Sequence, residues 1–177
     1  RVKYSGLSYG AILLPFIIPE IIIAVAFIVI WTSMGLKLGL VPITISHILY
    51  CTPFCLLILI SRMDGFDKSL EEASMDLGEN IFGTFWRVTF PLLLPGIIAS
   101  LLLSFVISFD EFILAFFLSS SDQTLPIYMW SQLRFPKKLP HVLALGAIII
   151  VATSFIVMLS YWFRNLGQSN NNRGSHI

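Results

Sequence analysis

The sequence predicts an all-α membrane protein, built as a bundle of transmembrane helices, and three observations support this prediction. First, 56% of the 177 residues are hydrophobic and only 12% are charged, so a soluble domain would have too little polar surface to cover its core. Second, four apolar stretches have roughly the 20 residues needed to cross a bilayer. Third, prolines interrupt these stretches, and each backbone group they free needs a neighbouring helix.

The first span is expected at residues 11–31. Pro19 disrupts its helix, and Glu20 follows directly. A carboxylate at membrane depth is costly unless it is paired, protonated or facing water. Glu20 is therefore a candidate for a substrate path, and capping of the broken helix is its alternative role.

The second span is expected at residues 43–61 and contains the two cysteines. His47, Cys51 and Cys55 recur every four residues and so share one helix face. Because no carboxylate or fourth ligand is near in sequence, we interpret them as helix-packing residues with reduced thiols and expect no metal site.

A charged segment at residues 62–91 separates the second and third spans. Ser69 and Glu72 have the spacing of a capping box, so we expect a helix that begins one residue after Ser69 and ends at Gly78. A second short helix is expected at residues 80–89. The first of these helices is acidic and would be repelled by anionic lipid, which favours a protein surface as its neighbour.

The third and fourth spans are expected at residues 92–118 and 141–163, followed by a disordered tail at residues 165–177. Asp110 and Glu111 are the only charges in the third span. Adjacent residues point about 100° apart on a helix, so we expect one of the two to face a central path. Their alternative location is the outer membrane interface.

The distribution of charge excludes some functions and orients the chain. Seven of the 11 basic residues lie on the side of the termini and the charged segment, which favours a cytoplasmic location for that side. A net charge of +1 without a basic run argues against nucleic-acid binding. The chain has no Gly-Lys dipeptide and so no phosphate loop, and we expect neither enzyme activity nor a cofactor.

The charged segment resembles the EAA loop of ABC-importer permeases, whose pattern is E-A-A, three residues, Gly, nine residues, Ile, one residue, Leu-Pro. Glu72, Ala73, Gly78 and Pro91 match this pattern at the same spacing. The departures from it are conservative in size: Ser74 for Ala, Val88 for Ile and Phe90 for Leu. In that family the loop is a coupling helix that sits in a cleft of the cytoplasmic ATPase. The coupling residues that the resemblance implies are Glu71, Glu72, Ala73, Ser74, Gly78 and Pro91.

Further segments, such as "PFIIPEIIIA", "FPLLLPGIIASLLLSFVISFDEFILAFF" and "TLPIYMWSQLR", resemble spermidine/putrescine permeases. The resemblance covers nearly all of residues 1–164. It implies the helical bundle of a type I ABC importer permease, a multi-pass protein of the cytoplasmic membrane. Such permeases usually have six spans, so the four expected here would be the last four of a longer chain.

The resemblance also implies a function and its partners. The chain would carry polyamines, which are small cations, by alternating access, and ATP would be hydrolysed by a partner ATPase dimer. A second permease subunit and an extracytoplasmic solute-binding protein would complete the transporter. The outer loop at residues 119–140 would meet membrane lipid or that binding protein. The alternatives are another solute such as iron, sulfate or thiamine, a non-transport scaffold that recruits a cytoplasmic partner, and an ion channel.

Overall fold

The computed structural model describes Gly10 and residues 13–15, 17–64 and 66–169. All regular secondary structure in these ranges is helical, which confirms the predicted all-α class. The helices are α1 (Glu20–Ser33), α2 (Leu40–Asp64), α3 (Ser69–Asp76), α4 (Ile81–Thr84), α5 (Phe90–Asp110), α6 (Ile113–Leu118), α7 (Leu125–Gln132) and α8 (Leu139–Ser169). A π-helical turn at Phe85–Thr89 and a 3₁₀ turn at Pro136–Lys138 join their neighbours.

Three helical stretches within the described ranges are long and apolar enough to cross a membrane: Leu40–Met63, Ile81–Asp110 and Pro136–Asn165. Helix α1 is apolar but has only 14 residues. It begins after Pro19, whose extended backbone, at φ −55° and ψ 134°, breaks the first predicted span. Ala11, Ile12 and Phe16 of that span lie outside the described residues.

The third predicted span, residues 92–118, differs from the structure at both ends. Helix α5 stops at Asp110 and α6 begins separately at Ile113. At the other end α5 begins at Phe90, close to the predicted start, but the helical backbone has no break there because the π-helical turn continues directly into α5. Within this turn the Phe90 N–H donates to the Phe85 carbonyl. A widened turn accommodates Pro91, which has no N–H to donate.

Helix α8 extends beyond both ends of the fourth predicted span. Its 31 residues would measure about 46 Å at 1.5 Å per residue, longer than the hydrocarbon core. Residues 165–169, which the sequence predicted to be disordered, form the last part of this helix. The rest of the predicted tail, residues 170–177, lies outside the described residues.

The contacts divide the chain into two units, Arg1–Pro53 with Ile107–Ile150 and Phe54–Val106 with Val151–Ile177. In the first unit, the Gly39 N–H donates to the Leu118 carbonyl at 2.9 Å, which fixes the start of α2 beside the end of α6. The core of this unit consists of Ile43, Ala115, Leu118 and Ile127, with Phe27, Ile28, Leu38 and Phe112 packed against it.

In the second unit, small and polar side chains hold the long helices together. The Ser160 hydroxyl of α8 donates to the Ala99 carbonyl of α5 at 2.8 Å. Between α2 and α5, the Cys55 sulfur lies 2.8 Å from the Ser104 hydroxyl. Such polar contacts are typical of helices that pack in lipid, where burial of apolar surface alone does not drive association.

Candidate functional site

Helix α3 begins differently from the sequence prediction. The predicted capping box is not formed, because Ser69 is already the first residue of the helix and its side chain does not cap it. Instead, the Asp67 carboxylate accepts the Ser69 backbone N–H at 2.9 Å. The pKa of Asp67 is thereby held below its ordinary value of 3.8. The hydrogen bond from the Ser69 N–H is the larger cause, and a hydrogen bond from the Ser69 side chain is the smaller one.

Acidification is therefore expected to loosen the start of α3. A lowered folded-state pKa means that the Asp67 carboxylate stabilises the helix above about pH 4, and that this contribution is lost as the pH falls through the lowered value. Hydrogen exchange of the first α3 amides, corrected for intrinsic rates, should accelerate on acidification in the wild-type chain. Asp67→Asn keeps an acceptor but cannot titrate, so it should flatten this dependence. Equal profiles for the two proteins would contradict the assignment.

The end of α3 confirms the left-handed helix cap predicted at Gly78. Its φ of +91° is left-handed, which only glycine adopts without strain. The Gly78 N–H donates to the Met75 carbonyl at 2.9 Å and the Glu79 N–H to the Ser74 carbonyl at 3.2 Å, the two bonds of a Schellman motif. Two residues later, the Asn80 side chain caps α4 by accepting the Gly83 N–H at 2.7 Å.

Side-chain hydrogen bonds fasten α3 to the segment that leads into α5. The Thr89 hydroxyl donates to the Glu71 carboxylate at 2.6 Å, and the Ser74 and Thr84 hydroxyls lie 3.1 Å apart. Arg87 and Glu79 form an ion pair in the same segment. Two of the predicted coupling residues, Glu71 and Ser74, are thus bound within the loop itself.

The surface of the loop combines exposed acidic and apolar side chains. Of the other predicted coupling residues, Glu72 and Ala73 are exposed on α3, and Pro91 is exposed in the first turn of α5. Leu77, Ile81 and Phe82, which we name the apolar patch, have 88%, 81% and 72% of their surface exposed. Clustered apolar side chains beside charged residues are typical of a protein-binding surface.

A buried polar cluster lies in the first unit, at the break between α5 and α6. Glu111 is only 6% exposed, and its carboxylate accepts the backbone N–H groups of Leu114 at 2.8 Å and Ala115 at 3.1 Å. His47 Nε2 lies 3.3 Å from the same carboxylate, an ion-pair distance without the geometry of a directed hydrogen bond. His47 Nδ1 lies 2.8 Å from the Ser108 hydroxyl. His47 is therefore part of a polar network and not the simple packing residue that the sequence suggested.

The three carboxylates predicted for a substrate path have different surroundings. Glu111 is the buried cap of α6. Glu20 lies half-buried in the first turn of α1 and hydrogen-bonds to Tyr50. Asp110 is exposed at the end of α5 and lines a cavity of about 410 Å³ with mainly apolar and aromatic walls. Of the three carboxylates, Asp110 is thus the one that lines this cavity. Within the described ranges it forms neither a capping hydrogen bond nor an ion pair.

Comparison with known proteins shows the family. A profile described as "Binding-protein-dependent transport system inner membrane component" matches residues 1–168. The chain belongs to this family. It is therefore an inner-membrane transport component and not itself an enzyme, and the resemblance to ABC-importer permeases is confirmed.

The names of individual relatives refer to polyamines. The chain is 30% identical over 163 residues to the spermidine/putrescine transport system permease protein PotC of Escherichia coli K12. The aligned region covers 90% of this chain and 61% of PotC. It is 32% identical over 163 residues to PotC of Haemophilus influenzae, with 90% and 63% covered. The putrescine transport system permease protein PotI of Escherichia coli K12 is 28% identical over 155 residues, with 84% and 55% covered. The chain thus spans about three fifths of the length of these relatives.

Sequence reasoning missed two features of this family member. The apolar patch was not predicted, although Leu77 before Gly78 and the adjacent Ile81 and Phe82 after Asn80 were a usable signal. The partnership of His47 with Glu111 had no local signal, since the two residues lie far apart in the chain.

Proposed function

We propose that this chain is a permease subunit of an ATP-driven importer of polyamines. It works with a second permease subunit, a cytoplasmic ATPase dimer that hydrolyses the ATP, and an extracytoplasmic solute-binding protein. The observation that carries the proposal is the loop from α3 to α4, which has a fixed shape and yet exposes apolar side chains. The polyamine-related names of PotC and PotI support the choice of solute.

The loop is suited to pass a movement from a cytoplasmic partner to α5. Its exposed side, with Glu72, Ala73 and the apolar patch, is the surface that the ATPase contacts in this proposal. Its inner side is fastened by Glu71 to Thr89 and by Ser74 to Thr84, next to the start of α5. A displacement of α3 therefore moves α5 with it, as alternating access requires. Pro91 and the π-helical turn before it form the junction of loop and span.

The carboxylates of the membrane helices support a cationic solute. Glu20, Asp110 and Glu111 provide negative charge, whereas residues 11–31, 43–61, 92–118 and 141–163 contain no Lys or Arg. A polyamine crossing this region needs counter-charges, and an anion such as sulfate would be repelled. In this proposal Asp110 and Glu20 face the substrate path. Glu111 stabilises the start of α6 beside that path.

Docking of the ATPase is expected to depend on the apolar patch. The double variant Leu77→Ser, Phe82→Ser removes two exposed side chains whose burial contributes about 1.5–3 kcal/mol each. Co-purification of the ATPase and ATP-driven uptake of labelled spermidine by membrane vesicles with the assembled transporter should both fall at least tenfold. Leu36→Ser, at an exposed leucine of the loop between α1 and α2, is the matched control and should change neither.

Three results would separate this proposal from its rivals. Full ATPase binding by the double variant would remove the docking surface from the mechanism. Normal ATPase binding by the wild-type transporter without ATP-driven uptake of any solute would favour a scaffold. Uptake of iron or thiamine but not of spermidine would keep the importer and overturn the solute.

A further inference from the structure

A small cavity lies in the second unit, where the ends of α2 and α8 meet the beginning of α5. We name it the arginine cavity. Its volume is about 200 Å³. Two arginines, a serine, a glycine and two apolar side chains line it: Arg62, Arg164, Ser61, Gly96, Leu57 and Ile58. None of these side chains is acidic, so the cavity has the electrostatics of an anion site.

Gly96 allows the Arg62 side chain to lie closely against α5. A Cβ added at Gly96 would come within 3.2 Å of Arg62 Cγ and 3.4 Å of Arg62 Cβ, which is tighter than ordinary packing. The Arg62 guanidinium donates from Nε and Nη2 to the Leu92 carbonyl, at 3.4 and 3.3 Å. An arginine has five N–H donors, so most of the hydrogen-bonding capacity of Arg62 remains for a further acceptor.

Both guanidinium groups lack a counter-charge. Neither Arg62 nor Arg164 forms an ion pair with a carboxylate in the described part of the chain. The Arg164 guanidinium lies over the Tyr161 ring, 5.2 Å from its centre, a cation–π contact that leaves its N–H groups for other partners. Two like charges beside one cavity repel each other, and an anion between them would remove this cost.

The position of the arginines matches the level of lipid headgroups. Each lies one residue before the end of an apolar span, Leu40–Met63 for Arg62 and Pro136–Asn165 for Arg164. Long basic side chains near the ends of membrane helices reach the interface, where lipid phosphates lie.

The surface next to the cavity is suited to an acyl chain. Val157 and Tyr161 precede Arg164 by seven and three residues and so share its face of α8. They are 42% and 56% exposed. The cavity itself is smaller than the roughly 300–1,000 Å³ of pockets that enclose a whole small molecule, so it fits a headgroup phosphate and leaves the acyl chains outside.

We infer that the arginine cavity binds the phosphate of an anionic phospholipid, with Arg62 and Arg164 as its counter-ions and an acyl chain along α8. Basic pockets between membrane helices suit such headgroups. A phosphatidylcholine headgroup also carries an ammonium group, which the two arginines would repel, so the site should prefer phosphatidylglycerol. The inference goes beyond the proposed function, because it does not depend on the solute that the transporter carries.

Photo-crosslinking in lipid nanodiscs tests the site directly. The transporter, purified with its native subunits, is placed in phosphatidylcholine nanodiscs with a trace of phosphatidylglycerol or phosphatidylcholine that carries a diazirine in its acyl chain. Cross-links to the α8 peptide with Val157 and Tyr161 are quantified by mass spectrometry. The phosphatidylglycerol probe should give about tenfold more cross-link than the phosphatidylcholine probe, and an excess of inorganic phosphate should not reduce it.

Matched variants separate the two arginines from general surface charge. Arg62→Gln and Arg164→Gln should each lower the lipid preference about fivefold, the contribution of one basic residue near an anionic membrane surface. Lys68→Gln removes an exposed cation that does not line the cavity and should keep the preference. Size-exclusion chromatography shows that each variant is assembled.

A second pair of variants tests the cavity without changing its charge. Gly96→Ala displaces the Arg62 side chain and should lower the preference severalfold. Gly146→Ala, whose Cβ would meet only Met129 Cε at 3.5 Å, is the matched control and should have no effect. Equal effects of the two alanines would show that helix packing in general controls the cross-link, and would overturn the site.

Three further results would overturn the inference. Equal yields from the two probes in the wild type would show that the cavity does not select anionic lipid, or that a partner subunit covers it. A preference that survives both arginine variants would place the anion elsewhere. Loss of the cross-link with inorganic phosphate would identify soluble phosphate as the ligand. Each of these results leaves ATP-driven uptake of polyamines, and thus the proposed function, untouched.

Discussion

Replacing Gly78 with valine is expected to reduce substrate-stimulated ATP hydrolysis to the unstimulated level. The reason is conformational, because a Cβ at this position would meet nothing within 4 Å and the φ of +91° is the sole obstacle. A left-handed backbone costs an ordinary residue about 1–2 kcal/mol, and a β-branched residue tolerates it least. The variant would therefore relax the turn and change the direction in which α3 and the apolar patch project. ATP hydrolysis by the assembled transporter, with and without loaded binding protein, measures the effect.

Two controls separate coupling from a general loss of stability. Gly78→Asn should keep most of the stimulation, because asparagine tolerates the left-handed region. Gly35→Val introduces comparable strain, at φ +69° and also without neighbours, in the loop between α1 and α2. It should leave the stimulation intact. Normal stimulation in Gly78→Val would show that the fixed turn is not needed for coupling.

Replacing Glu111 with leucine is expected to give the largest loss of stability of any change at the membrane carboxylates. The variant would leave the Leu114 and Ala115 N–H groups without their acceptor and would remove the contact with His47. Loss of one partner from a buried ionic network costs about 3–5 kcal/mol. The thermal midpoint of the solubilised transporter should fall by several degrees, and exchange at the two α6 amides should accelerate at least tenfold.

The adjacent carboxylate provides the comparison. Asp110→Asn changes an exposed group that caps nothing, so it should shift the thermal midpoint little. Glu111→Gln retains an acceptor and should lie between the wild type and the leucine variant. Equal stability of Glu111→Leu and Asp110→Asn would show that the α6 cap is not a structural support.

The long apolar stretches and the glycine that ends α3 could be interpreted from the sequence because both are local features. The length of each apolar run predicted the all-α membrane class, and the position of Gly78 after an acidic helix predicted its left-handed turn. The start of α3 was also a local question, but the prediction considered only Ser69 as the cap. Asp67 provides the acceptor and Ser69 does not, a competition that residue spacing alone does not decide.

The interruption after Asp110 could not be predicted from the same kind of signal. A pair of acids inside an apolar run is compatible with an unbroken helix, and Glu111 ends it by turning back onto the next amides. His47 then supports that carboxylate from another helix. In the charged loop, the pairing of Glu71 with Thr89 likewise depends on the chain folding back on itself. Such contacts between distant residues leave no periodic trace in the sequence.

The π-helical turn at Phe85–Thr89 has a consequence for the evolution of this protein. Each residue of an ordinary helix advances the chain by about 100° around its axis, and a π turn contains one surplus residue. Deleting any one of these five residues would restore regular winding and rotate α3 and α4 about the axis of α5 by about 100°. The direction in which α3 faces its cytoplasmic partner thus depends on one surplus residue in this turn. The turn should therefore tolerate substitutions far better than insertions or deletions.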